Sequence, residues 1–165
     1  MKKFFLPVLL ICSVVLTASD IEVHGNFAAH PQLAGLPAKW TVISNPKGTV
    51  ELITIEGISY VKLGADKKGS VGIYSVPIRV TAGDRIKVTA TITGGEMEFC
   101  LFQYGGVKTT TQRSMISSDN TSSRTHSQVF TIPNDRTTSV RIAFVAKNGA
   151  VSAVSAIKAE LLEKI

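Results

Sequence analysis

The sequence predicts an all-β domain, a β-sandwich of two antiparallel sheets, and three observations carry that expectation. Apolar and polar residues alternate along Arg85-Ile86-Lys87-Val88-Thr89-Ala90-Thr91-Ile92, as they do in a strand with one face buried. Turn residues bound such segments: Gly83-Asp84 opens this one and Gly94-Gly95 closes it. After residue 19 no stretch keeps a helical period, and no internal repeat or linker interrupts the series.

The first segment stands apart from that pattern. Met1-Lys2-Lys3 precedes an apolar run from Phe4 to Leu16, and Thr17-Ala18-Ser19 follows before Asp20. Charged, apolar and small residues in this order are those of a secretory signal peptide cleaved after Ala18 or Ser19. The run is shorter than the ~20 residues a spanning helix needs, and Pro7 breaks it, which argues against a retained anchor. A lipid anchor on Cys12 is disfavoured by the bulky Ile11 before it. The expected organisation is therefore a signal peptide over 1–19 and one domain over 20–165, secreted or periplasmic, with no membrane contact after cleavage. That domain has 146 of the 165 residues, enough for a core of its own.

Within it, strands are expected at 39–44, 48–55, 58–63, 71–80, 85–92, 96–104, 107–116, 125–132, 138–146 and 151–162. The last segment is rich in Ala, Glu, Leu and Lys and also fits a helix. However, Val151, Ala153, Ser155, Ile157, Ala159 and Leu161 share a face at period two, so a strand is predicted. Residues 117–124 read as a solvated loop, and Asn120-Thr121-Ser122 there matches a glycosylation pattern without context to support it. Ile86, Val88, Ile92, Phe99, Leu101, Ile142 and Phe144 form the expected core. In the strand 96–104, Met97, Phe99 and Leu101 lie on one face and Cys100, Phe102 and Tyr104 on the other. Both faces want cover: the strand is packed on two sides, or its second face offers aromatics to a ligand.

Composition excludes several classes of function. Net charge is +6 for the full chain and falls to +4 without Lys2 and Lys3, and the remaining cations are scattered rather than gathered on one stretch. Nucleic acid is not an expected partner. Beyond the signal segment Cys100 is the one cysteine, so no intrachain disulfide forms, and its place in an apolar strand suits a small buried hydrophobe. His24, His30 and His126 lack the spacing of a zinc site, and neither a nucleophile elbow nor a phosphate loop is present. Glu96 and Glu98 point to one side of a strand at a carboxylate spacing that glycoside hydrolysis can use, but alternating glutamates are more often a solvated face. The expectation is a protein that is not an enzyme and needs no cofactor.

Several segments, taken in order, resemble the jelly-roll carbohydrate-binding modules of families 4, 9 and 22. They are Gly25-Asn26-Phe27, Gly35-Leu36-Pro37-Ala38-Lys39-Trp40, and Ile58-Ser59-Tyr60-Val61-Lys62-Leu63. The similarity continues through the run from Ser75 to Val88, Phe130-Thr131-Ile132-Pro133, and Ser139-Val140-Arg141-Ile142-Ala143-Phe144. The resemblance implies a jelly-roll of the galactose-binding-like kind, a glycan ligand and a core role for Trp40. Many relatives place an aspartate of a structural calcium site where this chain has Ser155 and Ala156, so no metal is expected. Relatives also tend to carry a tryptophan where Thr125-His126-Ser127 stands. Sugar recognition uses flat apolar rings and planar polar groups on a concave sheet. The resemblance therefore implies Tyr60, Phe102 and Tyr104 as stacking candidates and Gln103, Arg113 and Gln128 as polar ones. Each also has a plain structural reading: Phe102 as core, the tyrosines as half-buried packing, Arg113 and Gln128 as solvated strand faces. The expected function is secreted, non-catalytic carbohydrate binding. The alternative is a structural or protein-interaction sandwich with no sugar site.

Overall fold

The structure is a computed structural model that describes residues 18–27, 36–44, 48–105, 110–116, 123–133 and 136–163. Residues 1–17 of the expected signal segment and residues 117–122, with the Asn120 pattern, lie outside the described residues. Twelve strands make up the described chain: β1 (Ser19–Ile21), β2 (Thr41–Ser44), β3 (Gly48–Ile55), β4 (Ile58–Ala65), β5 (Ser70–Tyr74), β6 (Ile78–Arg79), β7 (Arg85–Gly94), β8 (Met97–Tyr104), β9 (Thr110–Ile116), β10 (Arg124–Thr131), β11 (Ser139–Lys147) and β12 (Val151–Leu162). They form two sheets of six strands. The first has the order β10-β7-β12-β4-β3 with β1 also on β12, and the second has the order β2-β5-β11-β8-β9 with β6 also on β11. Every pairing is antiparallel. The all-β sandwich of two antiparallel sheets read from the alternation is the observed architecture.

The core lies between the inward faces of the two sheets. Ile86, Val88, Ile92, Phe99, Leu101, Ile142 and Phe144, expected there, are all fully buried. Each such side chain contributes about 1.5–3 kcal/mol through removal of apolar surface from water. Phe99 joins the sheets: its ring stacks on Phe144 of β11 at 4.8 Å and meets Phe130 of β10 edge-on at 5.2 Å. Trp40 is buried, packs edge-on against Phe27 at 5.5 Å, and donates its indole N–H to the His24 carbonyl at 3.3 Å.

The ambiguous segment 151–162 is a strand, and it is the centre of its sheet. β12 pairs with β7 along most of its length; on its other edge Val151–Val154 pair with β4 and Ala159–Leu161 with β1. A bulge between Ser155 and Lys158 accommodates this change of neighbour, and Ala156 within it has φ 48°.

Two details differ from the sequence reading. β1 was not expected, because three residues are too few to show a period. The expected single strand 71–80 is two, broken at Ser75-Val76-Pro77, where Pro77 has no N–H for a ladder. The Ser75 backbone N–H still reaches the Ile142 carbonyl at 2.8 Å, and its Oγ accepts the Ile142 N–H at 3.0 Å. The serine side chain thus replaces a ladder acceptor while the main chain turns away, and β6 resumes pairing with β11 at Ile78 and Arg79.

Candidate functional site

The outward face of the second sheet is the unusual surface. On β8 the alternation sends Met97, Phe99, Leu101 and Gln103 inward and Glu98, Cys100, Phe102 and Tyr104 outward; on β11 it sends Arg141, Ala143, Val145 and Lys147 outward. Register fixes the rows across this face. Arg79, Ser139 and Tyr104 make one row, Arg141 and Phe102 the next, and Thr41, Tyr74, Ala143 and Cys100 the third. Ile43, Gly72, Val145 and Glu98 make the fourth.

Small residues form the floor of that face. Ala143 is 0% exposed and Cys100 1%, although neither points into the main core. Half-buried Ile43, Tyr74 and Phe102 pack around them and Val145 as a second apolar cluster. Larger side chains therefore rise from a low centre, with aromatic rings of β5 and β8 on either side of Ala143. The polar groups are placed at the two ends. The Arg141 guanidinium lies over the Tyr74 ring, 4.6 Å from its centroid, and donates to the Ser75 carbonyl at 3.4 Å. At the opposite end Lys147 Nζ and the largely buried Glu98 carboxylate form an ion pair at 2.6 Å, and Cys100 Sγ approaches the same carboxylate at 3.8 Å. Beyond β6 a concavity of about 530 Å³ opens next to Arg79 and Ser139, with Asp84 at its border. Asp84 closes a turn there, accepting the Thr81 N–H at 2.7 Å and the Thr81 hydroxyl at 2.9 Å.

The outward face of the first sheet is different in kind. Hydroxyls line up on it, with Thr89 bonded to Ser127 at 3.2 Å and Thr91 to Thr125 at 3.3 Å. Two of its lysines are paired with acids, Lys62 with Glu51 at 3.5 Å and Lys87 with Glu160 at 3.3 Å, and half-buried Tyr60 and exposed Lys158 lie on the same sheet.

The structure separates the residues proposed from sequence. Phe102 and Tyr104 share the outward face of the second sheet, and Arg113 belongs to the same sheet, on β9, where it pairs in register with Cys100. Tyr60 lies on β4 in the first sheet, so it cannot join Tyr104 in one site. Gln103 is 2% exposed and faces the core, because β8 keeps its pleat through Tyr104, in register with Ser139, and no bulge turns it outward. Gln128 is on β10 of the first sheet, opposite the core residue Val88, and its amide donates to the Val129 carbonyl at 3.1 Å. Sequence reasoning missed Tyr74 and Arg141. The signal was present in Val71-Gly72-Ile73-Tyr74, where Tyr74 alternates with two apolar residues. Among the described residues no group of three or more His, Cys, Asp or Glu gathers as a metal site. Ser155 is buried, and Ala156 is exposed in the β12 bulge.

Comparison with solved structures gives the fold a reference. The chain superposes on the CBM22-1 xylan-binding domain of Paenibacillus barcinonensis Xyn10C with a TM-score of 0.63 at 8% identity, covering 90% of this chain and 97% of that one. It superposes on the family 11 carbohydrate-binding module of a Clostridium thermocellum cellulosomal cellulase with a TM-score of 0.60 at 15% identity, covering 90% and 96%. The fold is that of the jelly-roll carbohydrate-binding modules. The jelly-roll also matches part of the enzymatically active domain of tailspike protein 4 from bacteriophage CBA120, with a TM-score of 0.59 at 12% identity over 75% of this chain and 19% of that one. No family model and no curated protein matches the sequence.

Proposed function

We infer that the domain binds a glycan, without catalysis, along the outward face of the second sheet. One observation carries this reading: Tyr74, Phe102 and Tyr104 stand around a floor of small residues on one sheet face, while the opposite sheet carries Tyr60 among hydroxyls and charged side chains. A sugar ring needs such a flat apolar contact beside polar groups, and Arg141, Ser139 and Lys147 border it. The similarity of the fold to modules described as xylan-binding, or solved with xylohexaose or a galactotriose, supports a glycan over other ligand classes. The order of residues 1–19 supports an exported protein that meets its ligand outside the cytoplasm.

A structural or protein-interaction role is the second reading. The observation favouring it is the Arg141 guanidinium over Tyr74, which already occupies one stacking face. A glycan array on the domain 20–165 separates the two. Calorimetry on a glycan selected by the array then reads Phe102→Ala and Tyr104→Ala, with folding checked by circular dichroism. Loss of one stacking ring is expected to cost about 1–3 kcal/mol, a tenfold or larger fall in affinity for at least one variant. An array without any binder is the result expected of the structural role.

A further inference from the structure

The charges on the second sheet's outward face are one-sided. Among the described residues its strands project Arg79, Arg141, Lys147 and Glu98 outward, and the Lys147–Glu98 pair at 2.6 Å cancels two of them. Arg79 and Arg141 remain, both at the end that carries Tyr104 and Phe102. The Arg79 side chain is exposed and has no hydrogen-bond or ion-pair partner among the described residues. Asp84, which borders the concavity beside Arg79, is buried and accepts from Thr81, and on the other sheet Glu51 and Glu160 serve Lys62 and Lys87.

Arg79 and Arg141 sit one strand and one row apart on the same face, which places their Cα atoms roughly 8 Å from each other. Two arginine side chains at that separation reach a single sugar unit. A neutral polysaccharide laid over Tyr104 and Phe102 would cover these guanidiniums and supply no opposite charge, and covering an unpaired cation is costly. An acidic group on the sugar removes that cost and meets the guanidinium fork with two parallel hydrogen bonds. We propose that this face takes an anionic glycan, its rings on Tyr104 and Phe102 and its acid group held between Arg79 and Arg141.

This inference rests on the glycan reading of the face, and the experiment separates the two. The domain 20–165 is titrated with polygalacturonate, dextran sulfate and xylohexaose at two salt concentrations, as wild type and as Arg79→Gln, Arg141→Gln and Lys158→Gln. Lys158 is exposed on the first sheet and serves as the control for net charge. The expected result is binding to one of the two polyanions at least tenfold tighter than to xylohexaose, weakening with salt. Each arginine variant should weaken it about fivefold or more, while Lys158→Gln leaves it unchanged. The polyanion that binds tells carboxylate from sulfate ester. Arg79 is a second, solvent-facing position that keeps the test valid if Arg141→Gln disturbs folding. Equal or tighter binding of xylohexaose, insensitive to the arginines, overturns the anionic ligand and leaves the glycan reading standing. A loss in Lys158→Gln as large as in the arginine variants also overturns it, as unspecific charge attraction. No binding to any of the three polymers, or to a neutral array, overturns both.

Discussion

Ser75 shows how one side chain holds a sheet together across a break. Its Oγ accepts the Ile142 N–H at 3.0 Å and donates to the Val76 carbonyl at 2.8 Å, all within a buried position. Replacing it by Ala leaves the buried Ile142 N–H without an acceptor. Ser75→Ala is expected to lower the unfolding free energy by about 1–3 kcal/mol in urea titration without changing the fold. At this scale much was legible before any coordinates. Strand parity alone placed Cys100, Phe102 and Tyr104 opposite Phe99 and Leu101, and the same parity places Gln103 with the core residues. Pairing Gln103 with Tyr104 required a bulge, and β8 has none. Tyr74 and Arg141 stayed hidden because their meaning depends on each other: the guanidinium comes over the ring only when β5 and β11 are neighbours.

The hairpin from β3 to β4 shows what can be read at the scale of an element. Glu56 and Gly57 connect the strands with φ values of 51° and 79°, the left-handed pair that suits the twist of two antiparallel strands. A Cβ on Gly57 would meet nothing within 4 Å, so the conformation alone resists substitution there. Gly57→Ala is expected to destabilise by about 1–2 kcal/mol, read as a shift of the urea midpoint at constant slope. Both strands had been bounded from sequence because the turn residue sits between two β-branched runs. The run 71–80 was misjudged in spite of an equal signal, Pro77, since its apolar residues continue the alternation on both sides of the break. β1 gave no signal: its pairing partner in β12 lies at the other end of the chain.

The whole molecule depends on the contact between sheets, and Phe99 is where three aromatic rings from both sheets meet. Phe99→Ala is expected to remove about 3–5 kcal/mol, a large part of the 5–15 kcal/mol typical of a domain, and to lower the Tm of one cooperative transition. Two separate transitions would instead mean that the sheets hold themselves together independently. Sheet membership was the part that sequence could not supply. Tyr60 and Tyr104 both lie in well-marked strands, yet which sheet a strand joins is decided by partners far along the chain, and those partners put the two tyrosines on opposite sheets.

The order of strands also dictates when the protein can fold. β11 and β12 occupy the middle of their sheets and are the last two strands in the chain. Until residue 162 is available, β7 and β4 have no strand to lie between them, and β5 and β8 lack theirs until residue 147. Before those strands are made the chain holds only the separate pairs β3–β4, β2–β5, β8–β9 and β7–β10. It reaches its compact form only once β11 and β12 have both been made, because each joins strands that otherwise lie apart.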